Sequence, residues 1–99
     1  MRIITERKLR EFCQEHSNAE NAMQEWIGVV RLADWNNLAD VRATFNTIDF
    51  HKDMIIFNVG GNKFRVIAKV EYKKHLVFIK FVGTHKQYDN HKAWCDCGK

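Results

Sequence analysis

The chain contains no proline. No backbone donor is therefore removed inside a helix or strand, and element boundaries must come from hydrophobic patterning and from polar or glycine residues. Cysteine is sparse and odd in number, at Cys13, Cys95 and Cys97, which argues against a disulfide framework. No apolar run approaches the ~20 residues that a membrane-spanning helix needs. The opening Met1 to Lys8 stretch carries charge too early for a secretory leader. These absences predict a protein of the reducing cytoplasm with no membrane association. Nor is there a Gly/Ser-rich linker or an internal repeat, so the 99 residues are predicted to form one domain, 1–99.

What is present is an ordinary globular balance, 45% hydrophobic and 28% charged, with a net charge of +4. The excess of cations points toward polyanionic partners. Arg2-Ile3-Ile4 can open a first strand, with Thr5 offering a hydroxyl to cap the next helix. From Glu6 to His16, Leu9, Phe12 and Cys13 recur at helical spacing opposite Arg7, Lys8, Arg10 and Glu11. That stripe predicts an amphipathic helix in which Cys13 is a packed thiol. Ser17 and Asn18 can cap a second helix from about Ala19 to Ala33, built around Met23, Trp26, Ile27 and Val30. A third, shorter helix is expected near Asn36 or Asn37, with Leu38, Val41 and Phe45 on one side. Asn46 to Asp53 reads as the loop into a sheet.

Three strands follow. Phe64, Val66, Ala68, Val70 and Tyr72 alternate with Lys63, Arg65, Ile67, Lys69 and Glu71, the period-two pattern of a strand with one buried face. A two-residue turn at Lys73-Lys74 places Val77, Ile79 and Phe81 on the core side and Phe78, Lys80 and Val82 beside Arg65. A hairpin at Gly60-Gly61 or at Gly61-Asn62 puts Ile55, Phe57 and Val59 in the core and Asn58 on the face of Arg65. A last segment, Lys86 to about Trp94, is expected to form a short helix or turn.

The face with Asn58, Arg65, Lys69 and Lys80 leads toward Thr84, His85, Lys86, Tyr88 and Asp89. Cationic side chains can hold a phosphodiester and the extra charge of its transition state. His, Tyr or Asp can move protons, and aromatic rings can stack an unpaired base. The plainer reading is a half-exposed sheet with a solvated basic face. His85, His91, Cys95 and Cys97 also fall close in sequence, but Cys-x-Cys at a terminus departs from the usual zinc spacing, and no metal or cofactor is expected.

The stretch Phe57-Asn58-Val59-Gly60-Gly61-Asn62-Lys63-Phe64-Arg65-Val66-Ile67, followed by Phe81-Val82-Gly83-Thr84-His85-Lys86-Gln87-Tyr88-Asp89, resembles the HigB-type toxins of the RelE-like ribonuclease group. The likeness extends through the helical first half. It implies a small α+β RelE-like fold, an antiparallel sheet with packed N-terminal helices and a short C-terminal segment. It further implies a metal-independent endonuclease that cleaves mRNA on the ribosome and is neutralised in a hetero-oligomer by a HigA-like helix-turn-helix antitoxin. By the same resemblance Arg65 holds the scissile phosphate, His85 acts as acid, base or phosphate ligand, Tyr88 stacks a base or transfers a proton, and Asp89 orients a neighbour. Asn58, Lys63, Lys69, Lys80 and Lys86 are the expected RNA contacts, argued from charge and face. Gln87 stands where the family often has an acidic residue. The competing expectations are a non-catalytic RNA- or ribosome-binding module with this fold, and a protein that binds only a regulator.

Overall fold

The structure, a computed structural model, describes residues 1–61, 63–84 and 86. The elements run β1 (Arg2–Ile4), α1 (Glu6–Glu15), α2 (Glu20–Leu32), α3 (Leu38–Thr44), β2 (Ile48–His51), β3 (Met54–Val59), β4 (Phe64–Glu71) and β5 (Leu76–Thr84). They form an α+β fold in which one sheet, ordered β1-β5-β4-β3-β2, carries the helices on one face. The expected C-terminal segment lies outside the described residues, Lys86 apart.

Two features of the sheet correct the sequence expectation. The sheet is mixed, because β1 lies parallel to β5, Ile3 beside Val77, while the other pairs are antiparallel. And residues 48–51, read as loop, form an edge strand whose Ile48 pairs with Phe57 and Phe50 with Ile55. A strand of four residues with only two apolar side chains shows too short an alternation to stand out from a polar loop.

The β3–β4 register, Asn58 opposite Arg65 and Val59 opposite Phe64, agrees with the Gly61-Asn62 alternative. The Lys63 N–H donates to the Gly60 carbonyl at 3.3 Å. The Lys73-Lys74 turn is as expected, closed by the His75 N–H on the Tyr72 carbonyl.

The helix starts also differ. Thr5 does not cap α1 through its hydroxyl; it adopts φ 68°, ψ 39° and makes no side-chain capping bond. It is the single residue between β1 and α1, so the whole change of chain direction falls on it. Ser17 and Asn18 likewise give α2 no side-chain cap, since Ser17–Ala19 wind into one 3₁₀ turn leading into the helix. Asn37 does cap α3, its Oδ1 accepting the Asp40 N–H at 3.0 Å, the arrangement that satisfies an orphan helix donor. The Met1 ammonium donates to the Ala33 carbonyl at 2.6 Å, placing a cation at the negative end of α2.

Phe57, fully buried, is the centre of the core. Trp26 and Phe45 meet its ring edge to face at 5.3 and 5.4 Å, and Trp35 stacks at 6.2 Å. Phe57→Ala is expected to lower stability by about 3–5 kcal/mol, read from urea unfolding followed by tryptophan fluorescence. The two hairpin glycines give a finer comparison. Both have positive φ, but a Cβ on Gly60 would lie 3.0 Å from the Phe64 ring and 3.3 Å from the Ala22 Cβ, whereas one on Gly61 would meet nothing within 4 Å. Gly61→Ala should therefore cost only the left-handed backbone penalty of roughly 1–2 kcal/mol, and Gly60→Ala distinctly more in the same titration.

Candidate functional site

Alternation along β4 puts Arg65, Ile67, Lys69 and Glu71 on the face away from the helices. Cross-strand, Arg65 lies between Asn58 and Gly83, Ile67 between Ile56 and Phe81, and Lys69 beside Phe78. The expected register holds from Glu71–Leu76 to Ala68–Ile79 and then slips by one, because β5 carries an extra residue, Lys80, opposite the Ile67/Ala68 step. Beyond this bulge the side-chain parity of β5 reverses. Val77 and Ile79 are in the core as expected, but Phe81 is not. It packs on Met54, Ile56 and Ile67 on the second face, while Val82 packs against the helix-side core.

The bulge also changes the character of this face. Met54, Ile56 and Ile67 are only 2, 3 and 0% exposed, so the sheet does not present the continuous wet, basic surface that alternation alone suggests. A small second core divides the cations. Arg65 is half-buried at the hairpin end, its guanidinium donating to the Phe64 carbonyl at 3.3 Å. Opposite it is Gly83, itself buried.

The other expected residues fall as follows. Asn58 lies directly across from Arg65, and its Nδ2 donates to the Thr47 carbonyl at 2.7 Å, so this amide ties β3 to the segment entering β2. Lys63 is exposed in the hairpin connection next to Arg65. Lys69 is four residues along the strand, ~13 Å away at strand rise, and its ammonium sits between Asp53 at 3.3 Å and Glu71 at 3.6 Å. The hydrogen bond to Asp53, then the charges of Asp53 and Glu71, raise its pKa. Lys69 is thus a firmly protonated cation already matched by carboxylates, and it is not brought to Arg65. Lys80 stands at the bulge on the α1 side, where its carbonyl accepts the Lys8 ammonium at 3.3 Å. Lys86 is exposed. His85, Tyr88 and Asp89 lie outside the described residues, as do His91, Cys95 and Cys97.

Thr47, Gly83, Phe81 and Lys8 were given no part in the site by sequence reasoning, which put Phe81 in the core and Lys8 on the polar face of the first helix. Each matters through a non-local contact: a backbone acceptor for Asn58, the cross-strand partner of Arg65, the reversed side chain after the bulge, and the donor to the bulge carbonyl. Only the glycine before Thr84 left a trace in the sequence.

The family model HigB_toxin, described as a RelE-like toxic component of a toxin-antitoxin system, matches residues 19–91. The chain belongs to this family. The match runs from the start of α2 past Asp89 and includes every expected site residue, but it leaves out α1. Curated relatives include the mRNA interferase toxin HigB of Escherichia coli K12, 27% identical over 92 residues, 90% of this chain and 88% of its own. The mRNA interferase HigB of Shigella flexneri shows the same identity and coverage. That of Escherichia coli O6:H1 is 26% identical over 90% of this chain and 89% of its own. No helix among the described residues is long and apolar enough to cross a membrane.

Cys13, packed against the core as its stripe predicts, offers a check on this account of the helical layer. Burial, and then the Glu20 carboxylate, raise its thiol pKa above the ordinary 9.0. A thiol so shifted holds less thiolate at neutral pH. In a Cys95→Ser, Cys97→Ser background, iodoacetamide should therefore alkylate Cys13 severalfold more slowly at pH 7.5 than it does free cysteine. Glu20→Gln should speed the reaction, and the rate should still be rising with pH past 9.

Proposed function

We propose that this protein is an mRNA interferase, the endoribonuclease toxin of a toxin-antitoxin pair, which cleaves translated mRNA on the ribosome. The observation that carries the reading is the family match across the whole Arg65 to Asp89 region, together with relatives whose names state that activity. The position of Arg65 supports it. A half-buried guanidinium at the end of a rigid sheet is a positioned donor of the kind that holds a phosphodiester.

The chemistry is transesterification within the RNA. The ribose 2'-oxygen bonds to the adjacent phosphorus while the bond from phosphorus to the 5'-oxygen breaks, leaving a 2',3'-cyclic phosphate and a free 5'-hydroxyl. A base takes the 2'-hydroxyl proton and an acid delivers one to the leaving oxygen. Arg65 holds the non-bridging oxygens and stabilises the charge that grows on them in the transition state. His85 serves as acid or base, Tyr88 stacks a base or transfers the second proton, and Asp89 orients a neighbour. No step calls for a metal. Lys63, Lys80 and Lys86 contact the backbone of the message, Asn58 braces the hairpin that carries Arg65, and Lys69 acts chiefly as the partner of Asp53 and Glu71. The toxin works in the cytoplasm and is held inactive by a HigA-like helix-turn-helix antitoxin in a hetero-oligomer.

The decisive experiment supplies a defined message to the purified protein with and without translating ribosomes and maps the new 5' ends. Ends should form only with ribosomes. Arg65→Ala should reduce them by about 100-fold or more, in line with loss of a transition-state donor, and Arg65→Lys should recover part of the rate. His85→Ala should likewise abolish cleavage, and both alanine variants should unfold at the temperature of the parent. Binding to ribosomes with no new ends would instead identify a non-catalytic module, and undiminished cleavage by both alanine variants would place the site elsewhere.

A further inference from the structure

The strongest feature not used above lies where α1 meets the outer edge of β5. Strand β1 covers that edge only along Leu76–Phe78, whereas β5 continues to Thr84. Over the remainder, α1 takes the place of a strand, with Lys8 donating to the carbonyl at the bulge. Between them runs a groove of about 310 Å³ whose lining includes Lys8, Glu11, Phe12, Glu15, Lys80 and Phe81. Its size falls at the lower end of the range for small-ligand sites.

Resting on the ribonuclease reading, we propose that this groove is a nucleobase subsite for the message, with Phe81 as the stacking surface and Glu15 as the group that reads the base. Phe12 is 8% exposed and forms the floor, its ring engaged with His16 and Phe64. Phe81 packs on Ile67 and its neighbours but remains half-exposed, so one aromatic ring stays available to a flat, unpaired base. The bulge is what turns this ring to the Arg65 face. Phe81 sits two residues from Gly83, the cross-strand partner of Arg65, or ~7 Å at strand rise. A nucleotide stacked there is therefore a neighbour of a phosphate held by Arg65.

The charges suit one nucleotide. Lys8 spends one donor on the Lys80 carbonyl and keeps others for a phosphate oxygen. Glu11 is paired with Arg7 at 3.7 Å. Glu15 has no hydrogen bond or ion pair among the described residues and is exposed at the groove. A carboxylate only accepts hydrogen bonds, so it favours the bases with an exocyclic amino group, adenine, cytosine and guanine, over uracil, whose one donor is the N3–H. Glutamine, which both donates and accepts, removes that distinction.

The test is an NMR titration of the purified full-length protein with hexamers of adenosine, cytidine or uridine nucleotides at low salt. The parent should bind the adenosine and cytidine hexamers about fivefold or more tightly than the uridine hexamer, with shifts concentrated on Lys8, Glu15, Lys80 and Phe81. Glu15→Gln should erase the preference, and Phe81→Leu should weaken all three by about tenfold, as expected for loss of one stacked base. Should Phe81→Leu fail to fold, Glu15→Gln and Lys8→Gln, both on exposed helix surface, decide the matter alone. Equal binding of the three hexamers, shifts located elsewhere, or a preference that survives Glu15→Gln would overturn the proposal. Selective binding by a parent that cuts nothing on ribosomes would leave the subsite standing and overturn the ribonuclease reading, and cutting without selective binding would do the reverse.

Discussion

Phe57 is the contact on which the arrangement of the helical layer depends. It lies on β3, yet its ring is met by Trp26 from α2, Trp35 from the segment before α3, and Phe45 from the segment after it. One side chain thus fixes three separately encoded pieces against the sheet. Aromatic rings combine large buried area with preferred edge-to-face and offset geometries, so the cluster sets orientation as well as distance. It tolerates a local cost, the Trp26 indole N–H buried without an acceptor among the described residues. A penalty of about 1–3 kcal/mol is acceptable where a tryptophan and a phenylalanine are both almost fully withdrawn from water. Position is gained in return: β3 is held firmly, and Asn58, the next residue, stands across from Arg65.

On the other face the controlling feature is the extra residue at Lys80. A β-bulge re-aims side chains and tends to occur at edges and beside functional sites. Here it exchanges the roles of two neighbours, sending Val82 to the main core and Phe81 to the face of Arg65. It also sets Gly83, and not Val82, opposite Arg65. Had β5 kept its earlier register with no bulge, Val82 would stand opposite Arg65 and Phe81 would turn to the main core, leaving the second core without its aromatic member. The pairing of Arg65 with Gly83 and the turning of Phe81 to the Arg65 face follow from one irregularity.

Much of this was legible in the sequence. Although the choice between Gly60-Gly61 and Gly61-Asn62, and with it the exact pairing, stayed open, the alternation in β4, the turn at Lys73-Lys74 and a hairpin at the glycines were enough to put Asn58 on the face of Arg65 and to bury Val77 and Ile79, since parity fixes the face. The bulge was not, because Phe78-Ile79-Lys80-Phe81-Val82 alternates as well as an uninterrupted strand does. Strand β2 was hidden by its shortness, and the parallel partner of β1 by the long stretch of chain between them. The capping of α1 and α2 failed as an expectation because the connections are so short that the backbone itself turns, at Thr5 and at Ser17–Ala19, leaving no role for a hydroxyl. For the site, charge placed Lys69 beside Arg65, but the carboxylate of Asp53 that engages it comes from a turn on another strand, and one-dimensional patterning carries no sign of that.

The parallel pairing of β1 with β5 has a consequence for the order in which the molecule can assemble. Strands β2 to β5 are joined by connections of two to four residues and can pair soon after they are made, since closing short loops is fast. Residues 2–4 must instead wait for residues 76–78. Of the five strands, the one made earliest is therefore the last to find its partner. A nascent chain lacking β5 has Arg65 with no strand on one side, no bulge and no groove. The parts that would make the protein harmful to the translation machinery come together only once β5 has been made and has paired.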